Sequence, residues 1–120
     1  MSARSLLSSI LRNLGYDNIH SAPDGAKVMR MLERTHPAVI FMDIEMPGRS
    51  GLDILPNLME KEQDIYVVIV SGHATMDNVK KALELGARGF IVKPYMIGKV
   101  EDAMNKYHEE RESVKKTGSV

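Results

Sequence analysis

The stretch VIFMDIEMPGRSGLD, Val39 to Asp53, decides the fold. Its hydrophobic residues, Val39 to Met42, run up to one acid, Asp43, and a Pro47-Gly48 turn follows. With Ala38 in front, the apolar run AVIFM is too short for a helix and reads as a strand buried on both faces. An acid placed where such a strand stops lies at its carboxyl end, outside which open α/β sheets bind their ligands. Helical spacing resumes at once through Leu52, Leu55, Leu58 and Met59. It predicts a helix over Gly51–Lys61, which Pro56 should kink or shorten.

The same alternation extends in both directions. Leu6, Leu7, Ile10, Leu11 and Leu14 share one helical stripe that Gly15 should stop. DNIHSA then reads as a short strand, and Asp24 can cap a helix that turns Val28, Met29 and Leu32 inward and ends near His36-Pro37. Downstream, IYVVIV (Ile65 to Val70) is a second doubly buried strand. SGHATMD leads into a helix with Val79, Ala82 and Leu83 on one face and Gly86 near its end. GFIV is a further apolar strand, and a last helix starts at about Ile97 with Val100, Ala103, Met104 and Tyr107 inward. Four strands and five helices are expected. Strands alternating with crossover helices make a parallel, doubly wound α/β sheet.

The 120 residues suit one domain. Lys+Arg and Asp+Glu both number 16, so zero net charge gives no electrostatic case for nucleic acid or an anionic membrane as partner. Without cysteine there is no disulfide frame and no thiolate zinc site. No apolar run approaches a bilayer span and no signal-peptide core is seen, so a cytoplasmic location is expected. His20, His36 and His108 show no ligand spacing, and nine methionines suit an adaptable core.

Three polar groups fall at three strand ends: Asp43, Ser71 and Lys93, the last followed by Pro94. Alone, each has a bland reading, as a turn former, a turn hydroxyl next to Gly72 and a solvated surface charge. Together they are the set that phosphoryl transfer to a carboxylate needs. Asp43 is the nucleophile, Ser71 donates to a phosphoryl oxygen, and Lys93 offsets developing negative charge. Pro47, Gly48 and Gly51 let backbone N–H groups come close to the anion.

VIFMDIEMPGRSGLD, VIVSGHA and GFIVKP resemble, as a set, the three signature blocks of the response-regulator receiver domain of two-component phosphorelays. LGY, DG and LELGARGF match that family in register. The resemblance spans residues 1–112 and implies a flavodoxin-like sheet; residues 113–120 are expected to be a flexible tail. It implies that Asp43 takes a phosphoryl group from a histidine kinase or phosphotransfer protein and that a conformational change signals to a downstream effector. It makes Ser71 the hydroxyl that turns toward the phosphoryl group, Phe90 the aromatic switch and Lys93 the active-site lysine. Met46, Pro47, Gly48, Gly72, His73 and Pro94 then lie in the loops beside the site. The output face should fall near Met76–Gly86, Gly89–Val92 and Ile97–Tyr107. Such a module is a signalling domain rather than a metabolic enzyme.

One part of the family pattern is not found. It opens with a central hydrophobic strand that ends in two acids binding Mg²⁺, whereas MSARSLLSSIL holds neither strand nor acid. Asp43 and the backbone carbonyl of Glu45 are left as metal ligands, with the Glu45 side chain as a substitute, so Mg²⁺ binding is expected to be weakened or lost. Structurally, three outcomes stay open. DNIHSA and AVIFM close up on each other; a second copy pairs with the open edge, or meets the output face, as a homodimer; or the natural chain starts upstream of Met1. Two other functions remain: a degenerate receiver that docks a partner without phosphorylation and, more remotely, a haloacid-dehalogenase-like phosphatase built on Asp43, Glu45, Ser71 and Lys93.

Overall fold

The computed structural model describes residues 3–62 and 64–118, with side chains over 5–62 and 64–112. Two compact units are present: Asn18–Pro94, and Met1–Asp17 together with Tyr95–Val120. The larger unit holds the sheet. Strand β1 is Val39–Asp43, β2 is Tyr66–Ser71 and β3 is Gly89–Val92, all parallel in the order β1-β2-β3. Helices α2 (Gly25–Thr35), α3 (Gly51–Lys61) and α4 (Met76–Glu84) alternate with them.

Branched side chains explain the centre of this unit. Every residue of β2 is buried, and Val67, Ile69 and Val70 have no exposed surface. Val28 and Leu32 of α2 and Leu52, Ile54, Leu55 and Leu58 of α3 complete one apolar cluster with β2. Burying each such side chain contributes about 1.5–3 kcal/mol. The helix ends are set locally. The Asp24 carboxylate accepts the Lys27 N–H at 2.9 Å. At the start of α3, Ser50 and Asp53 form a reciprocal capping box. Asp24→Ala should therefore cost about 1 kcal/mol, seen as a lower urea midpoint with an unchanged slope.

Several expectations need correction. DNIHSA is no strand: residues 16–22 carry no regular structure, and among the described residues the sheet has three strands. A polar segment forms a strand only with a ladder partner, and β1 pairs with β2 alone among the described residues. The two segments have therefore not closed up on each other. As the edge of the sheet, β1 is only half-buried, with Met42 its one fully buried residue, so it is not covered on both faces as AVIFM suggested. Pro56 does not shorten α3. It lies on the exposed side of the helix, where the Leu52 carbonyl forgoes its usual N–H donor. Leu83, expected inward, is 51% exposed, and Ala82 is the buried residue of α4.

The second unit comprises α1 (Ala3–Asn13) and α5 (Ile97–Gly118), which touch each other. Ile10, Leu11, Val100 and Met104 are buried, whereas Leu6 is exposed. Gly15, at φ +103°, ends the first helix as expected. Tyr16 OH lies 2.7 Å from His108 Nε2 and their rings stack. Helix α5 continues past residue 112 to Gly118. No described helix is long and apolar enough to cross a membrane.

Candidate functional site

Parallel register brings three chemistry-bearing residues to one edge of the larger unit. Asp43 is the last residue of β1 and stands opposite Val70; Ser71 is the last of β2 and stands opposite Val92. Lys93 follows β3 directly, and its backbone N–H donates to the Ser71 carbonyl at 2.9 Å. The Lys93-Pro94 peptide is cis.

The side chains converge on Asp43. The Lys93 ammonium donates to Asp43 Oδ2 as an ion pair. Asp43 Oδ1 accepts the backbone N–H of Glu45 at 2.9 Å. Just beyond, α3 abuts the end of β1: a Cβ on Gly51 would stand 2.3 Å from the Asp43 carbonyl oxygen. Only glycine allows this approach, which holds the loop from Ile44 to Ser50 over the sheet edge.

The second half of the site is built around Ser71, which is wholly buried. Its hydroxyl donates to Glu45 Oε1 at 2.8 Å and accepts the His73 N–H at 2.9 Å. The Gly72 N–H donates to the same Glu45 Oε1 at 3.2 Å. A carboxylate oxygen thus sits where a hydroxyl and an amide both point. Phe90 is half-buried on β3 and packs against the apolar cluster. Met46, expected only as a loop neighbour, also packs against that cluster. Pro47, Gly48, Gly72, His73 and Pro94 are exposed.

Electrostatics separates the two acids. Burial pushes the Asp43 carboxyl above the ordinary range, and the adjacent Glu45 carboxyl adds to this, outweighing the pull of Lys93 and of the Glu45 N–H. Burial acts upward on Glu45 too. Hydrogen bonds from Asp43, Ser71 and the backbone overcome it and hold Glu45 down at about 2. Glu45 is therefore the more acidic carboxyl of the two and loses its proton before Asp43.

Mg²⁺ demands near-octahedral oxygen coordination. Among the described residues no group of three or more His, Cys, Asp and Glu side chains gathers to hold a metal. Both Asp43 oxygens already have donors, and the Glu45 carboxylate faces Ser71 and Gly72. These residues do not by themselves fit the ion.

The Asp43, Ser71 and Lys93 set expected from sequence does meet at one edge, with Lys93 in direct contact with Asp43 and Ser71 linked to Asp43 through residue 45. The Glu45 carboxylate as the partner of Ser71 is not legible in the sequence. The sequence shows an acid two positions after Asp43 but not the rotamer that turns it back over the sheet edge.

Known proteins resemble this chain in sequence and fold. The family model for the response regulator receiver domain matches residues 1–105. Sporulation initiation phosphotransferase F of Bacillus subtilis (strain 168) is 28% identical over 104 residues, covering 87% of this chain and 83% of that protein. Chemotaxis protein CheY-3 of Vibrio cholerae is 29% identical over 108 residues, covering 88% and 83%. Among solved structures, the receiver domain of NtrX from Brucella abortus superposes with a TM-score of 0.81 at 25% identity, covering 88% of both chains. A CheX–CheY–BeF3–Mg²⁺ complex from Borrelia burgdorferi matches with a TM-score of 0.80 at 30% identity, covering 85% of this chain and 78% of that one. On its fold, its sheet-edge residues and these matches, the chain belongs to the family of response-regulator receiver domains of two-component systems.

Proposed function

We propose that Asp43 is the phosphoacceptor of this receiver domain and that its donor is the phosphohistidine of a histidine kinase or phosphotransfer protein. One observation carries the reading: the carboxylate at the end of β1 is contacted by the strand-end ammonium of Lys93, beside a buried strand-end hydroxyl aimed at an anion. In the transfer, one Asp43 carboxylate oxygen forms the new O–P bond. The P–N bond to the donor imidazole breaks, and its electron pair leaves with the nitrogen. The nucleophile is already an anion once deprotonated, so no separate base is required. Lys93 offsets the charge on the phosphoryl oxygens, and the Ser71 hydroxyl and Gly72 N–H supply hydrogen bonds to them.

Receiver domains generally bind Mg²⁺ at the phosphorylation site, where it neutralises phosphoryl oxygen charge. In this chain that role falls at least partly on Lys93. The Borrelia CheY relative is described with CheX, BeF3 and Mg²⁺. By analogy this chain is read as passing its signal to a protein partner, with Ser71 and Phe90 moving as the phosphoryl group is gained or lost. Receiver-family membership leaves the phosphatase alternative without support.

The test is intact-mass and Phos-tag analysis after incubation with acetyl phosphate and Mg²⁺, followed by peptide mapping. A single phosphoryl adduct mapping to Asp43 is the expected result. An unmodified chain at every metal and donor concentration, or an adduct elsewhere, overturns the reading.

A further inference from the structure

Ser71 and Gly72 offer two donors toward one point, and that point is already filled. Glu45 Oε1 accepts the Ser71 hydroxyl at 2.8 Å and the Gly72 N–H at 3.2 Å. A serine hydroxyl has one proton, and the other acceptor it meets among the described residues, the His73 carbonyl, is farther away at 3.3 Å. Charge-assisted hydrogen bonds to a carboxylate are about twice as strong as neutral ones, so this contact is not given up freely. The backbone of Glu45 is tied to the site by its N–H on Asp43 Oδ1. Its side chain, in contrast, belongs to an exposed residue and has an open path to water. A rotation of the side chain can therefore empty the position while the loop stays in place.

We propose that the Glu45 carboxylate is a built-in occupant of the anion seat formed by the Ser71 hydroxyl and the Gly72 N–H, and that an arriving tetrahedral oxyanion must displace it. The proposal rests on the phosphoacceptor reading for its biological meaning, though not for its geometry. An unmodified chain keeps the seat filled by its own carboxylate. A phosphoryl group on Asp43 brings three acceptor oxygens and close to two negative charges, enough to compete for both donors and to repel Glu45 outward. Glu45 thus sets a threshold. It opposes casual entry by free anions and yields to a group held covalently next to the seat.

Two measurements on the full chain test this, with wild type and Glu45→Ala compared. In the first, inorganic phosphate is titrated into isotope-labelled protein and the Gly72 amide resonance is followed. The midpoint for Glu45→Ala should lie about tenfold below that of wild type, the effect of freeing the two donors that Glu45 Oε1 occupies. Glu45→Gln, which keeps an acceptor oxygen but not the charge, should fall between them. Midpoints that do not differ, including no shift of Gly72 in either protein, overturn the proposal. In the second, the rate of adduct formation from acetyl phosphate should rise about tenfold in Glu45→Ala. A lowered phosphate midpoint with no adduct in either protein supports the filled seat and overturns the phosphoacceptor reading. Equal midpoints with equal adduct rates overturn the filled seat and leave the phosphoacceptor reading standing.

Discussion

Asp43→Asn is expected to carry no phosphoryl adduct after treatment with acetyl phosphate and Mg²⁺, and to melt a few degrees above wild type at pH 7. The first effect is complete because an amide is not a nucleophile of carboxylate strength, while the rest of the sheet edge is untouched. The second follows from the direction of the Asp43 shift. Its carboxyl is raised above the ordinary range, first by burial and then by its neighbour Glu45. A carboxyl whose folded value lies above its unfolded value favours the fold only while protonated. Above that range its charge costs stability, and the cost grows as pH rises through the raised value. The amide oxygen of asparagine still accepts from Lys93 but has no charge to desolvate. The gain should shrink as pH falls into the ordinary carboxylate range, where the aspartate of both folded and unfolded wild type becomes protonated. Calorimetry from pH 7 down to pH 4 checks the sign. A lower melting point for the variant at pH 7 would mean that the Lys93 pair outweighs burial, the reverse of the expected order.

Gly51→Ala is expected to cost about 3 kcal/mol and to lower the melting point by about 10 °C, a large loss for one methyl group. The reason lies in what the new Cβ meets. At Gly51 it would come within 2.3 Å of the Asp43 carbonyl oxygen and 3.2 Å of the Ile44 Cα, both main chain. Neither atom can rotate away, so α3 must withdraw from the end of β1. Gly25 provides the contrast. There a Cβ would meet Ile54 Cδ1 at 2.0 Å, but that atom is the far end of a side chain with other rotamers available. Gly25→Ala should therefore cost less than Gly51→Ala, although its nominal clash is closer. Denaturant titration of the two variants side by side decides the matter, and the reverse ranking would count against this explanation. The Gly51 substitution should also slow adduct formation, since the displaced backbone is that of Asp43 itself.

The parts of this fold that could be read from sequence are those written in local chemistry. Ser50 and Asp53 bracket the start of α3, and the helix occupies Gly51–Lys61 as its spacing required. Ile97 begins α5 as expected. Asp43 and Ser71 prove to be the last paired residues of their strands rather than residues just beyond them, because the ladder accepts a polar side chain at the sheet edge. What stayed hidden depends on neighbours remote in sequence. AVIFM is as apolar as a central strand, yet it lies at an edge, and hydrophobicity does not reveal how many partners a strand has. DNIHSA carries a weak strand signal that comes to nothing without a ladder beside it. Leu83 fits the apolar stripe of α4 and still faces outward, because the helix buries little beyond Ala82. The candidate site divides in the same way. Its three strand-end residues follow from pattern, whereas the turn of Glu45 back onto Ser71 is a choice of rotamer that no spacing rule encodes.

The one-sided pairing of β1 has a consequence for exchange with solvent. The Ala38 carbonyl accepts from Tyr66 at 3.0 Å, and the Ile44 N–H donates to Val70 at 3.0 Å. Because successive peptide groups point to opposite sides of a strand, the even-numbered residues between them, Ile40 and Met42, direct their amides toward β2. Val39, Phe41 and Asp43 direct theirs away from it. Deuterium uptake along this strand should then alternate residue by residue, slow at Ile40 and Met42 and fast at Val39 and Phe41, while Val68, Ile69 and Val70 of β2, laddered on both flanks, resist.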